Sequence, residues 1–269
     1  MKNIGLVVNQ TKDTNLKYTK LLIEKINNSG MNVEILKDEK MAKKLDLIIS
    51  IGGDGTLLKT SKIASKYNKP IVGVNLGKLG FLTQIDKDNI EYYIKKIANN
   101  DYILQKRMML EINIIRNGKK VWTKEALNDV VISRKSISRV VRINSYIDDV
   151  LQNKYLADGL IIATPSGSTA YSLSAGGPIV DALANVIIMT PICPHSFCDR
   201  SYVTTQDKTI KIKLDLDKKQ KAIVTIDGQE YQDILKDDII IIEKSKLYTT
   251  LVTFSDVNCF DILNKKLGR

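Results

Sequence analysis

Asp54 stands between Gly53 and Gly55, with Gly52 before and Thr56 after them, and this grouping is the part of the chain best suited to chemistry. Residues 45–51 are apolar apart from Asp46 and Ser50, so the carboxylate sits where a buried strand ends. Ligands of open α/β sheets gather at that edge. Glycines let the backbone approach an anion, and a following helix adds its positive N-terminus. A plain βα turn would also use glycine and a threonine cap. Three glycines around one aspartate shift the reading toward an anion-handling site. It is neither of the commonest nucleotide loops: G-x-x-x-x-G-K-[ST] is absent, and Asn75-Leu76-Gly77-Lys78-Leu79-Gly80-Phe81-Leu82 is not G-x-G-x-x-G.

A second candidate begins at Asp158 and continues through Thr164-Pro165-Ser166-Gly167-Ser168-Thr169-Ala170-Tyr171-Ser172-Leu173-Ser174 to Gly176-Gly177-Pro178. Hydroxyls and exposed N–H groups at a strand-to-helix turn suit phosphate or ribose contacts. A surface loop of ordinary turn residues would have similar composition over any three or four positions. Neither Ser166 nor Ser168 lies in G-x-S-x-G, which argues against a serine hydrolase. Cys193, His195 and Cys198 supply three ligands within six residues but no fourth, so zinc is not expected and no protein metal site is assigned. Pro191 and Pro194 point instead to a rigid turn around the only histidine, His195.

The elements that must position these residues fall into two halves. Residues 4–9, 33–36, 45–51 and 71–74 read as strands, and 16–28 and 56–67 carry helical apolar spacing. That β-α-β-α-β series predicts an α/β domain over residues 1–100 with a parallel, Rossmann-like sheet. Beyond it the period becomes two. Residues 110–114 alternate, Asn117-Gly118 marks a hairpin, and 130–133, 140–146, 160–163, 210–216, 222–226 and 239–242 follow as strands. An all-β sandwich over residues 101–249 is the matching expectation. A strand at 249–254 and a helix at 257–267 end the chain, with 250–269 returning to the first domain.

With 269 residues, 43% hydrophobic and 26% charged, the chain can bury a sizeable core. No apolar run approaches the roughly eighteen residues of a membrane span. The apolar start, residues 4–8, is too short for a signal peptide. Three cysteines, Cys193, Cys198 and Cys259, favour a reducing compartment, and cytoplasm is expected. Lys and Arg number 41 against 30 Asp and Glu, a formal charge of +11. The cations are scattered, and aromatic residues are only 6%. This argues against a nucleic-acid binder and suits small polyanionic substrates.

Gly52-Gly53-Asp54-Gly55-Thr56 resembles the signature of a kinase superfamily that holds NAD kinases, diacylglycerol and sphingosine kinases and, more distantly, phosphofructokinases. The string at 164–171 resembles the T-P-(T/S)-G-S-T-A-Y motif of NAD kinases. The segments at 75–82, Asn128-Asp129, 190–196 and Asp227-Gly228-Gln229 resemble the same family in the same order. Lipid kinases share only the first motif. The resemblance implies transfer of the terminal phosphate of ATP, or of polyphosphate, to the 2′-hydroxyl of the adenosine ribose of NAD, giving NADP, with Mg²⁺ or another divalent metal. It implies NAD between the two domains and a homo-oligomer, commonly a tetramer. By motif, Asp54 is the general base and Gly55 a cofactor contact. Asn128 and Asp129 meet the adenosine ribose, while Asp158 with Thr169, Ala170, Tyr171, Ser172, Leu173 and Ser174 lines the nicotinamide side. Lys59, Arg139 and Gln229 are further contacts. Leu156 departs from the pattern, because relatives often carry Arg or Lys there; Lys154 is the nearby cation. Relatives also often have Asn-Glu in place of Asn128-Asp129. Two other readings use the same residues: a kinase for a lipid or other small alcohol, and a dinucleotide- or nucleic-acid-binding protein without catalysis.

Overall fold

The computed structural model describes residues 1–77, 80–135, 140–196, 199–217, 220–255 and 263–264. It divides into two compact units, Met1–Lys106 with Tyr248–Arg269, and Arg107–Leu247.

The first unit opens with β1 (Asn3–Val8), α1 (Lys17–Asn28), β2 (Asn32–Ile35), β3 (Leu47–Gly52), α2 (Asp54–Lys66) and β4 (Pro70–Asn75). A two-residue β5 (Ile85–Asp86) and α3 (Ile90–Ala98) follow. The strands pair in parallel in the order β2-β1-β3-β4. Every residue of β3 is buried, which explains its nearly unbroken apolar sequence. Asp13 fixes the start of α1: its carboxylate accepts from the Tyr18 and Thr19 N–H groups and from the Thr19 hydroxyl. Leu22 and Ile26 of α1, and Ile90, Tyr93, Ile94 and Ile97 of α3, pack against Ile4, Leu6, Ile49 and Ile51. Truncating one of these to Ala typically costs about 2–5 kcal/mol, so this core holds the end of β3 in place.

The sequence reading assigned nothing to 90–98, although apolar residues at 90, 93, 94 and 97 have helical spacing. It also began α2 at residue 56. The helix starts at Asp54, its N-cap is Gly53, and no side chain caps it. Thr56 is therefore no cap; its hydroxyl accepts from the Asn9 side-chain amide at 3.2 Å.

The second unit is antiparallel β. Its elements are β6 (Ile103–Arg116), through which the chain enters, β7 (Lys119–Ala126), β8 (Asp129–Arg134), β9 (Val141–Ile147), β10 (Val150–Ala157), β11 (Gly159–Ala163) and the single turn α4 (Tyr171–Ser174). Then come β12 (Val186–Ile192), β13 (Tyr202–Thr205), β14 (Ile210–Asp215), β15 (Ala222–Ile226), β16 (Glu230–Ile234) and β17 (Ile239–Thr253), through which the chain leaves. One layer of the sandwich is the six-stranded sheet β13-β12-β11-β8-β15-β16, and the order β10-β9-β14-β17 belongs to the other. Asn117 and Gly118 take φ of 50° and 73°, as a tight hairpin between β6 and β7 requires. The segments expected as separate strands at 239–242 and 249–254 are one continuous strand, β17. Of the expected terminal helix, only 263–264 lie among the described residues, and they are helical. No helix among the described residues is long and apolar enough to cross a membrane.

Candidate functional site

Asp54 opens α2 directly after the buried end of β3, and its carboxylate is held by the segment that follows β4. The Phe81 N–H donates to Oδ2 at 2.8 Å. Oδ1 accepts from the Leu82 N–H at 3.3 Å, the Thr83 N–H at 3.1 Å and the Thr83 hydroxyl at 3.0 Å. Gly80 passes so close that a Cβ there would run into the carboxylate, so only glycine fits this approach. The aspartate thus has one orientation, at the positive end of a 13-residue helix.

One cation at this turn was missed by the sequence reading. A Cβ on Gly53 would lie 3.1 Å from the Lys12 ammonium and 3.6 Å from the Asn75 side-chain oxygen. Lys12 is brought there by the loop after β1. Asn9 accepts from the Thr11 N–H and hydroxyl, and its main-chain oxygen accepts from the Lys12 and Asp13 N–H groups. Among the described residues Lys12 makes no ion pair, so its charge is available to an anion at the glycine turn. No sequence motif marks it; only the fold brings position 12 to position 53. Gly55 and Lys59 are exposed, four residues apart on α2 and so on one face.

In the second unit, Asn128 and Asp129 lie at the start of β8, both buried. Asp227, after β15, holds them: its carboxylate accepts from the N–H groups of Leu127, Asn128 and Asp129 at 3.1, 2.8 and 3.2 Å. Burial pushes the Asp129 carboxyl up to about 7, and the nearby Asp227 charge adds to the effect. No residue described here hydrogen-bonds the Asp129 carboxyl, and the buried Asn128 side-chain oxygen has no partner. An unpaired buried acceptor is costly, so this pair is suited to a ligand that supplies donors.

The loop after β11 wraps the same turn. The Thr164 N–H donates to the Asn128 carbonyl, and the Thr164 hydroxyl to the Leu127 carbonyl. Ser168 donates to the Pro165 carbonyl, and Ser172 pairs with Thr190 at 2.9 Å. These hydroxyls were expected to face a ligand. Those of Thr164, Ser168 and Ser172 are instead buried and satisfied within the protein, by the Leu127 carbonyl, the Pro165 carbonyl and the Thr190 hydroxyl in turn. Thr169, Ala170 and Leu173 are partly exposed, and Tyr171 and Ser174 exposed.

Asp158 immediately precedes β11 and forms a two-point pair with Arg134, Nε to Oδ1 at 2.6 Å and a terminal nitrogen to Oδ2 at 3.2 Å. Arg134, at the end of β8, was not singled out from sequence. Leu156 is exposed on β10 and lies opposite Arg142 of β9 in register, so a cation does border that position. His195 donates its main-chain N–H to the Leu156 carbonyl, which makes its segment part of this edge. Gln229 follows the Asp227-Gly228 turn, its N–H bonded to the Ile226 carbonyl. Arg139 and Cys198 lie outside the described residues. Among the described residues no group of three or more His, Cys, Asp or Glu side chains is placed to hold a metal ion.

Two family models match the chain. Residues 37–102 match the ATP-NAD kinase N-terminal domain and residues 127–254 the ATP-NAD kinase C-terminal domain. The chain is 41% identical to the NAD kinase of Acetivibrio thermocellus, over 99% of this chain and 97% of that protein. It is 42% identical to the NAD kinase of Caldanaerobacter subterraneus, over 99% of both. An NAD kinase from Archaeoglobus fulgidus, solved with ATP, superposes with a TM-score of 0.79 at 28% identity, over 99% of this chain and 98% of that one. Yeast NADH kinase, solved with NADH, shares the fold, with a TM-score of 0.85 at 24% identity over 100% of this chain and 88% of its own. Both domains, in order and nearly end to end, are matched, and the chain belongs to the NAD kinase family.

Proposed function

We infer that the protein phosphorylates NAD at the 2′-hydroxyl of its adenosine ribose, with ATP as donor and NADP as product. The observation that carries the mechanism is the clamped Asp54 at the carboxyl end of β3, beside the N-terminus of α2. In the reaction the 2′-oxygen forms a bond to the γ-phosphorus and the bond to the β-phosphate oxygen breaks, so ADP leaves. Asp54 takes the hydroxyl proton. Oδ1 already accepts three hydrogen bonds and Oδ2 only one, which makes Oδ2 the oxygen with a lone pair to spare. Catalysis of this kind is mostly alignment and charge neutralisation. The α2 N-terminus, Gly55 and the Lys12 ammonium supply positive potential, with Lys59 on the same helix face. Mg²⁺ dehydrates reluctantly and commonly binds through substrate phosphates, so in this reading it arrives on the triphosphate.

Asn128 and Asp129 take the ribose hydroxyls, which provide the donors their unpartnered oxygens lack. Asp158, steadied by Arg134, serves the nicotinamide side with Thr169, Ala170, Tyr171, Leu173 and Ser174, and Ser172 acts there through its backbone. Gln229 and Arg139 complete the contacts. The reading includes a cytoplasmic homo-oligomer, a tetramer. The edge strand β13, with Tyr202 and Val203 exposed, supports association, which sedimentation measures. The activity itself is tested by incubating the protein with NAD, ATP and Mg²⁺ and following NADP. Turnover of a lipid alcohol without NADP, or binding of NAD without product, overturns it.

A further inference from the structure

Asp54 lies in a helix, and in the first turn of a helix a carboxylate is ordinarily free to rotate toward water. Here it cannot. Three successive N–H groups, of Phe81, Leu82 and Thr83, and one hydroxyl converge on it from a segment 27 to 29 residues further along the chain. Of these four donors only the Thr83 hydroxyl belongs to a side chain, so it alone is set by residue type. Thr83 is fully buried. Its own rotamer is fixed by packing: a Cβ on Gly73 of β4 would meet the Thr83 methyl at 2.5 Å, so the bare backbone at Gly73 leaves the room that methyl occupies. The methyl thereby aims the hydroxyl at Oδ1.

We propose that Thr83 is a positioning residue for phosphoryl transfer: its hydroxyl holds Oδ1 and so presents Oδ2 of Asp54 to the acceptor hydroxyl. Thr83 touches no reacting atom and acts only through Asp54. The proposal rests on Asp54 being the base. A hydrogen bond to a charged group, and a small misplacement of a reacting group, are each large enough to be read in turnover.

The test is a double-mutant cycle on purified protein, with kcat and both KM values measured. Thr83→Val keeps the shape and removes the hydroxyl. It should lower kcat about ten-fold and leave the KM for NAD and for ATP unchanged. Thr83→Ser, which keeps the hydroxyl but not the methyl that aims it, should recover most of the turnover that Thr83→Val loses. In an Asp54→Asn background Thr83→Val should cause no further loss, since the group it steers is gone. Unchanged kcat in Thr83→Val, or the same fractional loss in both backgrounds, overturns the proposal. If Thr83→Val does not fold, Thr83→Ser against Thr83→Ala reads the same hydroxyl, with Ser active and Ala reduced as the expected result. Wild-type turnover by Asp54→Asn alone would instead overturn the base assignment, a separate failure.

Discussion

Two aspartates at the ends of buried strands receive opposite treatment from their surroundings. Asp54 in the first unit is given four donors and a helix N-terminus. Asp129 in the second is buried, is given none, and faces the charge of Asp227, so its carboxyl is pushed up to about 7. Asp227, between them in character, takes three backbone N–H groups. A carboxylate meant to accept a proton in one defined direction is tied down. One meant to meet a ligand's own donors is left short of them. On the proposed roles, the base is the carboxylate that the protein ties down and the ribose contact the one that it leaves short of donors.

The largest effect expected from that contrast is at Asp54. Asp54→Asn should lower kcat by about a hundred-fold or more, with melting temperature near that of the wild type. At Asp129 the expected effect is on stability and depends on pH. Unfolded, an aspartate titrates near ~3.9, whereas here the folded group titrates at about 7. Between those values the folded state keeps a proton that the unfolded state has lost. The stability due to this group is complete below about pH 4, declines as the pH rises to 7 and falls no further above it. Relative to wild type, Asp129→Asn should gain melting temperature across that window, by roughly a few degrees, and hold the gain above pH 7. A constant difference from pH 4 to 8 would contradict it. The smallest effect is at Lys12, an exposed cation. Lys12→Ala should raise the KM for ATP about two- to five-fold and leave that for NAD alone.

Much of this was legible in the sequence because it is local. The run into Gly52, the glycines around Asp54 and the Asn117-Gly118 hairpin each state their geometry within a few residues. The clamps were not legible, since they join distant positions: 54 to 83, 127 to 227, 134 to 158. Lys12 looked like one of many scattered lysines until the fold laid it against Gly53. The loop at 164–174 was legible only in part, for a different reason. Hydroxyl-rich composition signals hydrogen bonding, but it does not say whether the partner is a ligand or the loop's own carbonyls. For Thr164, Ser168 and Ser172 the partner is the protein.

The central claim is that this chain transfers the terminal phosphate of ATP to one hydroxyl of NAD. Incubating the wild-type protein with NAD, Mg²⁺ and ATP labelled in its γ-phosphate, and locating the label in the product, tests it most directly. The account predicts label in the 2′-phosphate of NADP and none in that position with Asp54→Asn at equal times. Label released only as inorganic phosphate, or carried to another acceptor while NAD stays unmodified, would contradict it.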